Sequence, residues 1–204
     1  MPFVLSCDLS HTSAAQNARR LAMKVIVPLA EGFEEIEAIT IIDVLRRAEV
    51  DLTTASLKKN PVTGSHQIAV KADTLIKELD MVDFNCIILP GGMPGSENLK
   101  KDDTVLSYIK HIYSKGGYVA ALCAAPIVLG KAGVLYGKKV TCYPGFETEL
   151  VDVHYLEEPV VVDGSVVTGR GAGCAIPFAL EMVDLLKGND VMERIKNAMQ
   201  VYWI

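Results

Sequence analysis

No C-x-x-C pair occurs in this chain, and its five cysteines (Cys7, Cys86, Cys123, Cys142 and Cys174) are scattered and odd in number. That pattern argues against a disulfide framework or a thiolate zinc site and makes a reducing compartment, the cytoplasm, the default expectation. No apolar run approaches the roughly 18–20 residues of a membrane span. Positive charge is in deficit: 20 Lys and Arg against 25 Asp and Glu leave a formal −5, which gives nucleic acid or an anionic membrane no electrostatic hold. No G-x-x-x-x-G-K-[ST], G-x-S-x-G or H-E-x-x-H motif is found. The four histidines (His11, His66, His111 and His154) stand apart, each reading as a surface residue rather than a ligand. Gly169-Arg170-Gly171-Ala172-Gly173 lacks the G-x-G-x-x-G spacing and comes late in the chain, so it gives no case for a dinucleotide site.

What is present is enough apolar residue for one sizeable core, half of the 204 residues. Residues 1–22 stand outside it. Ser, Thr, Ala, Asn and Gln dominate there, Asp8 is the sole acid, and Met1–Leu5 is too short for a signal-peptide core. They are expected to be a leader, either disordered or a transit peptide that would give a mitochondrial address. From Met23 the chain alternates. Lys24–Pro28, Leu52–Leu57, Asp83–Leu89, Tyr118–Leu122 and Lys139–Cys142 read as strands, and Phe33–Ala48, Asp102–Ser114, Ala175–Leu186 and Asp190–Val201 as helices. Asn60-Pro61 and Gly64 bracket a short antiparallel excursion containing Gln67–Val70. Asp163-Gly164, between Pro159–Val162 and Val166–Thr168, signals a type I′ hairpin. Residues 23–204 are thus expected to form a single α/β domain, doubly wound on a mostly parallel sheet covered on both faces.

In such sheets function gathers at the carboxyl ends of the strands, beside a topological switch point. Three segments fall there: Ala30–Glu37, Pro90-Gly91-Gly92 and Cys123. Cys123 follows the apolar run Tyr118–Leu122 and precedes Ala124–Leu129, with Pro126 suited to a first helical turn. That is the layout of a nucleophile elbow with sulfur in place of oxygen. A helix N-terminus at this point is expected to favour thiolate, taking the thiol from about 8.5 to roughly 3.5–7.5. The plainer reading is a small buried cysteine packed as a hydrophobe. Glu34 and Glu35 read as complements to the helix dipole. Glu37 is set apart, because Ile36, Ile39 and Val44 are expected to define the buried face beside it. A carboxylate partly buried next to a thiolate keeps its proton to higher pH and can act as a general acid or base. Pro90-Gly91-Gly92 is either a plain strand-end turn or a place where backbone N–H groups aim into a cavity.

Six segments together resemble the ThiJ/PfpI superfamily, in particular its DJ-1 branch with the bacterial ThiJ/YajL-type members. They are Ala30–Ala38, Val44–Ala48, Leu89–Met93, Ala120–Pro126, Val140–Pro144 and Thr168–Gly173. The resemblance implies a flavodoxin-like, class I glutamine amidotransferase-like sandwich and a homodimer formed in part through the first helix. It implies Cys123 as nucleophile, Glu37 as the acid bonded to its sulfur, Gly91 and Gly92 lining the site, and the N–H groups of Gly92 and Ala124 as an oxyanion-binding pair. It further implies a cofactor-independent glyoxalase or deglycase acting on α-oxoaldehydes such as methylglyoxal or on their adducts, or a redox-responsive chaperone. The family's thiamine-linked name finds no phosphate-binding loop here. The sequence departs from many relatives at Tyr143, where they carry histidine; a phenol is a poor base near pH 7, so the proton work shifts to Glu37. The H-x-E pattern of glutamine amidotransferases is absent, and so is the serine or threonine of the last loop, replaced by Ala172 and Cys174.

Overall fold

The central strands are apolar runs buried on both faces, and their side chains, pointing alternately to either side, face two layers of helices. In the computed structural model residues 23–202 are described; the expected leader at 1–22, with Cys7 and His11, lies outside them. β1 (Lys24–Leu29) leads to α1 (Glu35–Arg47), β2 (Asp51–Ser56), the antiparallel pair β3 (Val62–Thr63) and β4 (Ala69–Val70), and β5 (Thr74–Leu75). β6 (Cys86–Leu89), α2 (Gly95–Lys100) and α3 (Asp103–Ser114) precede β7 (Tyr118–Leu122) and α4 (Pro126–Ala132). Two short parallel strands, β8 (Lys139–Val140) and β9 (His154–Tyr155), are followed by β10 (Val160–Asp163), β11 (Val166–Gly169), α5 (Ala175–Lys187) and α6 (Asn189–Ala198).

The main sheet has the order β10-β11-β7-β6-β1-β2-β5, and every neighbouring pair is parallel except β10–β11. Val25, Val27, Leu29 and Ile88 face the layer of α1, α5 and α6, while Ile26, Ile87 and Leu89 face that of α2, α3 and α4. Both layers are closed. Truncating Ile87 or Ile88 to alanine is expected to cost about 2–5 kcal/mol, since neither side can refill the space. β2 and β6 lie on opposite sides of β1, which makes the carboxyl end of β1 the switch point. The α/β class and mostly parallel sheet are as the sequence predicts.

Several local expectations are corrected. α1 buries Glu37, Ala38, Ile41, Val44 and Leu45, whereas Ile36 and Ile39 are 59% and 44% exposed. The inward stripe therefore runs through Glu37 itself rather than beside it. Residues 81–83 form a 3-10 turn, so β6 begins only at Cys86. The β10–β11 loop is Gly164-Ser165, with positive φ at Gly164 alone, so the hairpin is not the type I′ turn expected at Asp163-Gly164. Gln67 takes positive φ in the turn before β4 rather than joining a strand. The short helix α2 and the edge strand β5 leave no signal in the sequence, because six and two residues are too few for periodicity to register.

Candidate active site

Leu122 is the last paired residue of β7, held in register with Gly169 of β11. The chain then turns sharply. Cys123 has φ +63°, a left-handed conformation that costs a non-glycine residue of order 1–3 kcal/mol and persists only where its surroundings fix it. Three hydrogen bonds do so: Cys123 N–H to the Gly169 carbonyl at 2.9 Å, Tyr143 N–H to the Cys123 carbonyl at 2.8 Å, and Ala125 N–H to the Leu122 carbonyl at 3.0 Å. α4 starts only at Pro126, after a turn formed by Ala124 and Ala125, and ends at left-handed Gly133.

Glu37 comes to the same place from the first turn of α1. It is fully buried. Its Oε2 accepts the Gly91 N–H at 2.7 Å, its Oε1 has no hydrogen bond among the described residues, and the Cys123 thiol bears on the same carboxyl. Gly91 sits between the two side chains, and a Cβ there would lie 2.7 Å from the Cys123 Cβ and 2.8 Å from Glu37 Oε2. The β6–α2 turn must therefore be glycine at this point. Gly91 also accepts, through its carbonyl, the Glu34 N–H at 2.9 Å, and Glu34 caps α1 by taking the Glu37 N–H on Oε2 at 2.7 Å. Glu34, Glu37 and Gly91 thus form a closed circuit.

The electrostatics depart from expectation. Burial pushes the Glu37 carboxyl up to about 7 against the opposing pull of the Gly91 N–H and the Cys123 thiol, and the nearby Glu34 charge adds to the rise. Burial and the charged Glu37 push the Cys123 thiol up to about 12, while N–H groups of Ala124 and Gly92 act in the other direction. A thiol acidified by a helix end is not what this geometry gives. α4 begins three residues further on, the donors that reach the sulfur are loop amides, and a buried carboxylate competes for the same charge. The physical unit is the pair, which carries one negative charge above neutrality.

Of the residues singled out in the sequence, Cys123, Glu37, Gly91, Gly92 and Ala124 are brought together. Tyr143 joins them through its backbone. Its ring is half exposed, lies against Gly171 and meets Phe146 edge-on at 6.4 Å, and its hydroxyl has no hydrogen bond among the described residues. Cys86 and Cys142 are buried with thiols pushed up by burial, Cys142 to about 11.

Sequence reasoning missed Glu35. It is 5% exposed rather than a solvated dipole partner, and the β3–β4 connection wraps around its carboxylate. Oε1 accepts the His66 N–H at 2.6 Å and the Ile68 N–H at 3.3 Å, and Oε2 lies 2.9 Å from His66 Nδ1 and 3.3 Å from Ser65 Oγ. Burial alone would raise this carboxyl, but the His66 side chain and the N–H groups of His66, Ile68 and Glu35 itself outweigh it and hold it at about 2. Gly64 has no room for a side chain, since a Cβ would overlap the Glu35 carboxylate. With Glu34, His66 and Glu35 form the one group among the described residues whose spacing suits a metal ion. Glu35 already has four donors there, which leaves it little to offer a cation.

A buried acid and an elbow cysteine separated by a glycine turn invite comparison with known proteins. The profile of the DJ-1/PfpI family matches residues 23–185. The chain belongs to the DJ-1/PfpI family. It is 40% identical over 170 residues to Arabidopsis thaliana protein DJ-1 homolog B, covering 82% of this chain and 39% of that one. It is 32% identical over 167 residues to a Pyrococcus abyssi protein named deglycase, covering 81% of this chain and all of that one. The crystal structure of Drosophila melanogaster DJ-1beta superposes with a TM-score of 0.85 at 36% identity, covering 89% of this chain and all of that one. The chain spans less than half the length of the Arabidopsis relative and the full length of the archaeal one.

Proposed function

We propose that the protein is a cofactor-independent glyoxalase or deglycase whose nucleophile is Cys123 and whose acid and base is Glu37. The observation that carries this reading is the pair itself: an elbow sulfur and a buried carboxyl near pKa 7 placed around one glycine. The name of the archaeal relative is in keeping with it. In the microstate with the proton on Glu37 the sulfur is anionic, and it attacks the aldehyde carbon of an α-oxoaldehyde such as methylglyoxal. A C–S bond forms, the carbonyl oxygen takes up charge toward the Gly92 and Ala124 N–H groups, and Glu37 delivers the proton to give a hemithioacetal. Glu37 then removes the hydrogen on that carbon to give an enediol and returns a proton to the neighbouring carbon. The first carbon is oxidised to a thioester and the second is reduced to an alcohol, so no external oxidant is needed. Water releases the 2-hydroxy acid and restores the thiol. Purified protein is expected to convert methylglyoxal to lactate, and Cys123→Ala to lose that activity by at least a hundredfold. Equal turnover by the variant would end the proposal.

A second reading rests on the same donors. Sulfur flanked by two N–H groups and a protonated carboxyl suits oxidation to a sulfinate, held without turnover in a stress sensor or chaperone. Mild peroxide giving a two-oxygen mass gain on Cys123, alongside suppressed aggregation of a client and no lactate, would favour it over catalysis.

The exposed Ile36 and Ile39 of α1 and Ile68 of the β3–β4 hairpin support assembly as a homodimer through this side. Light scattering of Ile36→Lys/Ile39→Lys is expected to report a monomer where the parent is a dimer.

A further inference from the structure

A cavity of about 310 Å³ opens between the segments that follow β1, β2 and β6, away from Cys123. None of Cys123, Glu37 or Gly92 lines it. Its position follows from the topology. β2 and β6 leave β1 in opposite directions, and the connections leaving their carboxyl ends diverge over the end of β1. In open α/β sheets that divergence is where small molecules are held. The volume is at the small end of the roughly 300–1,000 Å³ of ligand sites.

The lining has two parts. The floor is apolar and fixed: Leu29 and Ala30 at the end of β1 and Val62 of β3 are buried beneath it, and the partly exposed Leu57 gives it the apolar surface a ligand can touch. The rim is cationic, with Lys58 and Lys59 on one side and Lys101, just past α2, on the other. Two acids share that rim. Asp102 is already committed, its Oδ1 accepting the Thr104 and Val105 N–H groups as the cap of α3, which leaves Glu31 as the opposing charge. Among the described residues Lys58 and Lys59 form no ion pair, and Lys101 reaches only Glu97, at 3.6 Å. Asn98 donates to the Glu31 carbonyl at 2.9 Å, tying α2 to the loop after β1, so one wall is braced without any ligand.

Three lysines line this one crevice in a chain whose net charge is −5. The lysines leave donors in search of acceptors, and the floor asks for hydrocarbon. We propose that this crevice is a second binding site, for a small organic anion whose compact apolar body rests on Leu57 and the lysine stems while its phosphate or carboxylate head is held by Lys58, Lys59 and Lys101. It is independent of the Cys123 chemistry, so each can fail without the other.

The test is a two-dimensional amide NMR titration of the whole chain with phenyl phosphate, benzoate, inorganic phosphate and benzyl alcohol. One of the two aromatic anions is expected to shift the amides of residues 57–62 and 98–102 saturably, with a Kd of roughly 1 mM or tighter, and the stronger of them identifies the head group. Inorganic phosphate and benzyl alcohol are each expected to bind at least tenfold more weakly. Lys58→Ala/Lys59→Ala is expected to weaken the anion at least tenfold with the remaining spectrum unchanged, Lys58→Arg/Lys59→Arg to retain it, and Cys123→Ser to bind as the parent does. Absence of saturable shifts, benzyl alcohol binding as tightly as the anions, or full binding by Lys58→Glu/Lys59→Glu would overturn the proposal.

Discussion

Gly91 donates its backbone N–H to Glu37 Oε2 at 2.7 Å while its Cα faces the Cβ of Cys123, so one glycine spaces the acid from the sulfur and also hydrogen-bonds the acid. Gly91→Ala puts a methyl into both contacts at once. Neither Leu122 O, 2.7 Å from the added carbon, nor the strained Cys123 backbone can retreat easily. The substitution is expected to cost about 1–3 kcal/mol in urea unfolding and to lower methylglyoxal turnover at least tenfold. A variant with parental stability and activity would show that the turn is not the spacer described.

Glu37 links stability to pH. Its folded pKa, about 7, is raised from 4.5, so the folded chain holds the proton more tightly than the unfolded one. The associated stability is fully present below pH 4.5 and is lost as pH rises through 7, by about 3 kcal/mol. Urea midpoints of the parent are expected to fall between pH 5 and 8 relative to Glu37→Gln, in which that slope is removed.

Glu35 links it in the opposite sense. Held at about 2 instead of 4.5, it contributes stability above pH 4.5 that is lost as pH falls toward 2. Glu35→Gln leaves the same shape but loses charge-assisted bonds from His66, Ser65 and Ile68, on the order of 1–3 kcal/mol. Hydrogen exchange is expected to quicken first in the β3–β4 hairpin and the first turn of α1. Exchange there equal to the parent's would show that the hairpin does not clamp Glu35.

Tyr143 is held by its main chain, with its hydroxyl unbonded among the described residues. Tyr143→Phe is expected to keep kcat/KM for methylglyoxal within about threefold. A loss of a hundredfold would assign the phenol a part in the proton transfers that Glu37 is proposed to carry.

Much of this was legible in the chain. Cys123 between an apolar pentapeptide and helix formers, and Gly91-Gly92 at the end of an apolar strand, mark strand ends by local chemistry, and the α/β alternation brings them to one edge. What stayed hidden depends on neighbours distant in sequence. Glu34, Glu35 and Glu37 look alike in a row, yet one caps, one is grasped by a hairpin thirty residues on, and one is buried against Gly91. Ile36 and Ile39 look like core because apolar residues usually are, whereas the inward stripe of α1 contains a carboxylate. The acidity of Cys123 is not legible for the same reason: proximity to a helix can be read locally, but burial and a competing acid cannot.

The pH dependence of Cys123 alkylation by iodoacetamide, followed by mass spectrometry in the parent and in Glu37→Gln, reaches the shared charge directly. In the parent a first inflection near pH 7 is expected, as the pair loses one proton and a fraction of the charge resides on sulfur, with a steep second rise only toward pH 12. Glu37→Gln is expected to lose the first inflection. A single inflection near 8.5 in both proteins, that of an ordinary cysteine, would contradict the coupling between Glu37 and Cys123.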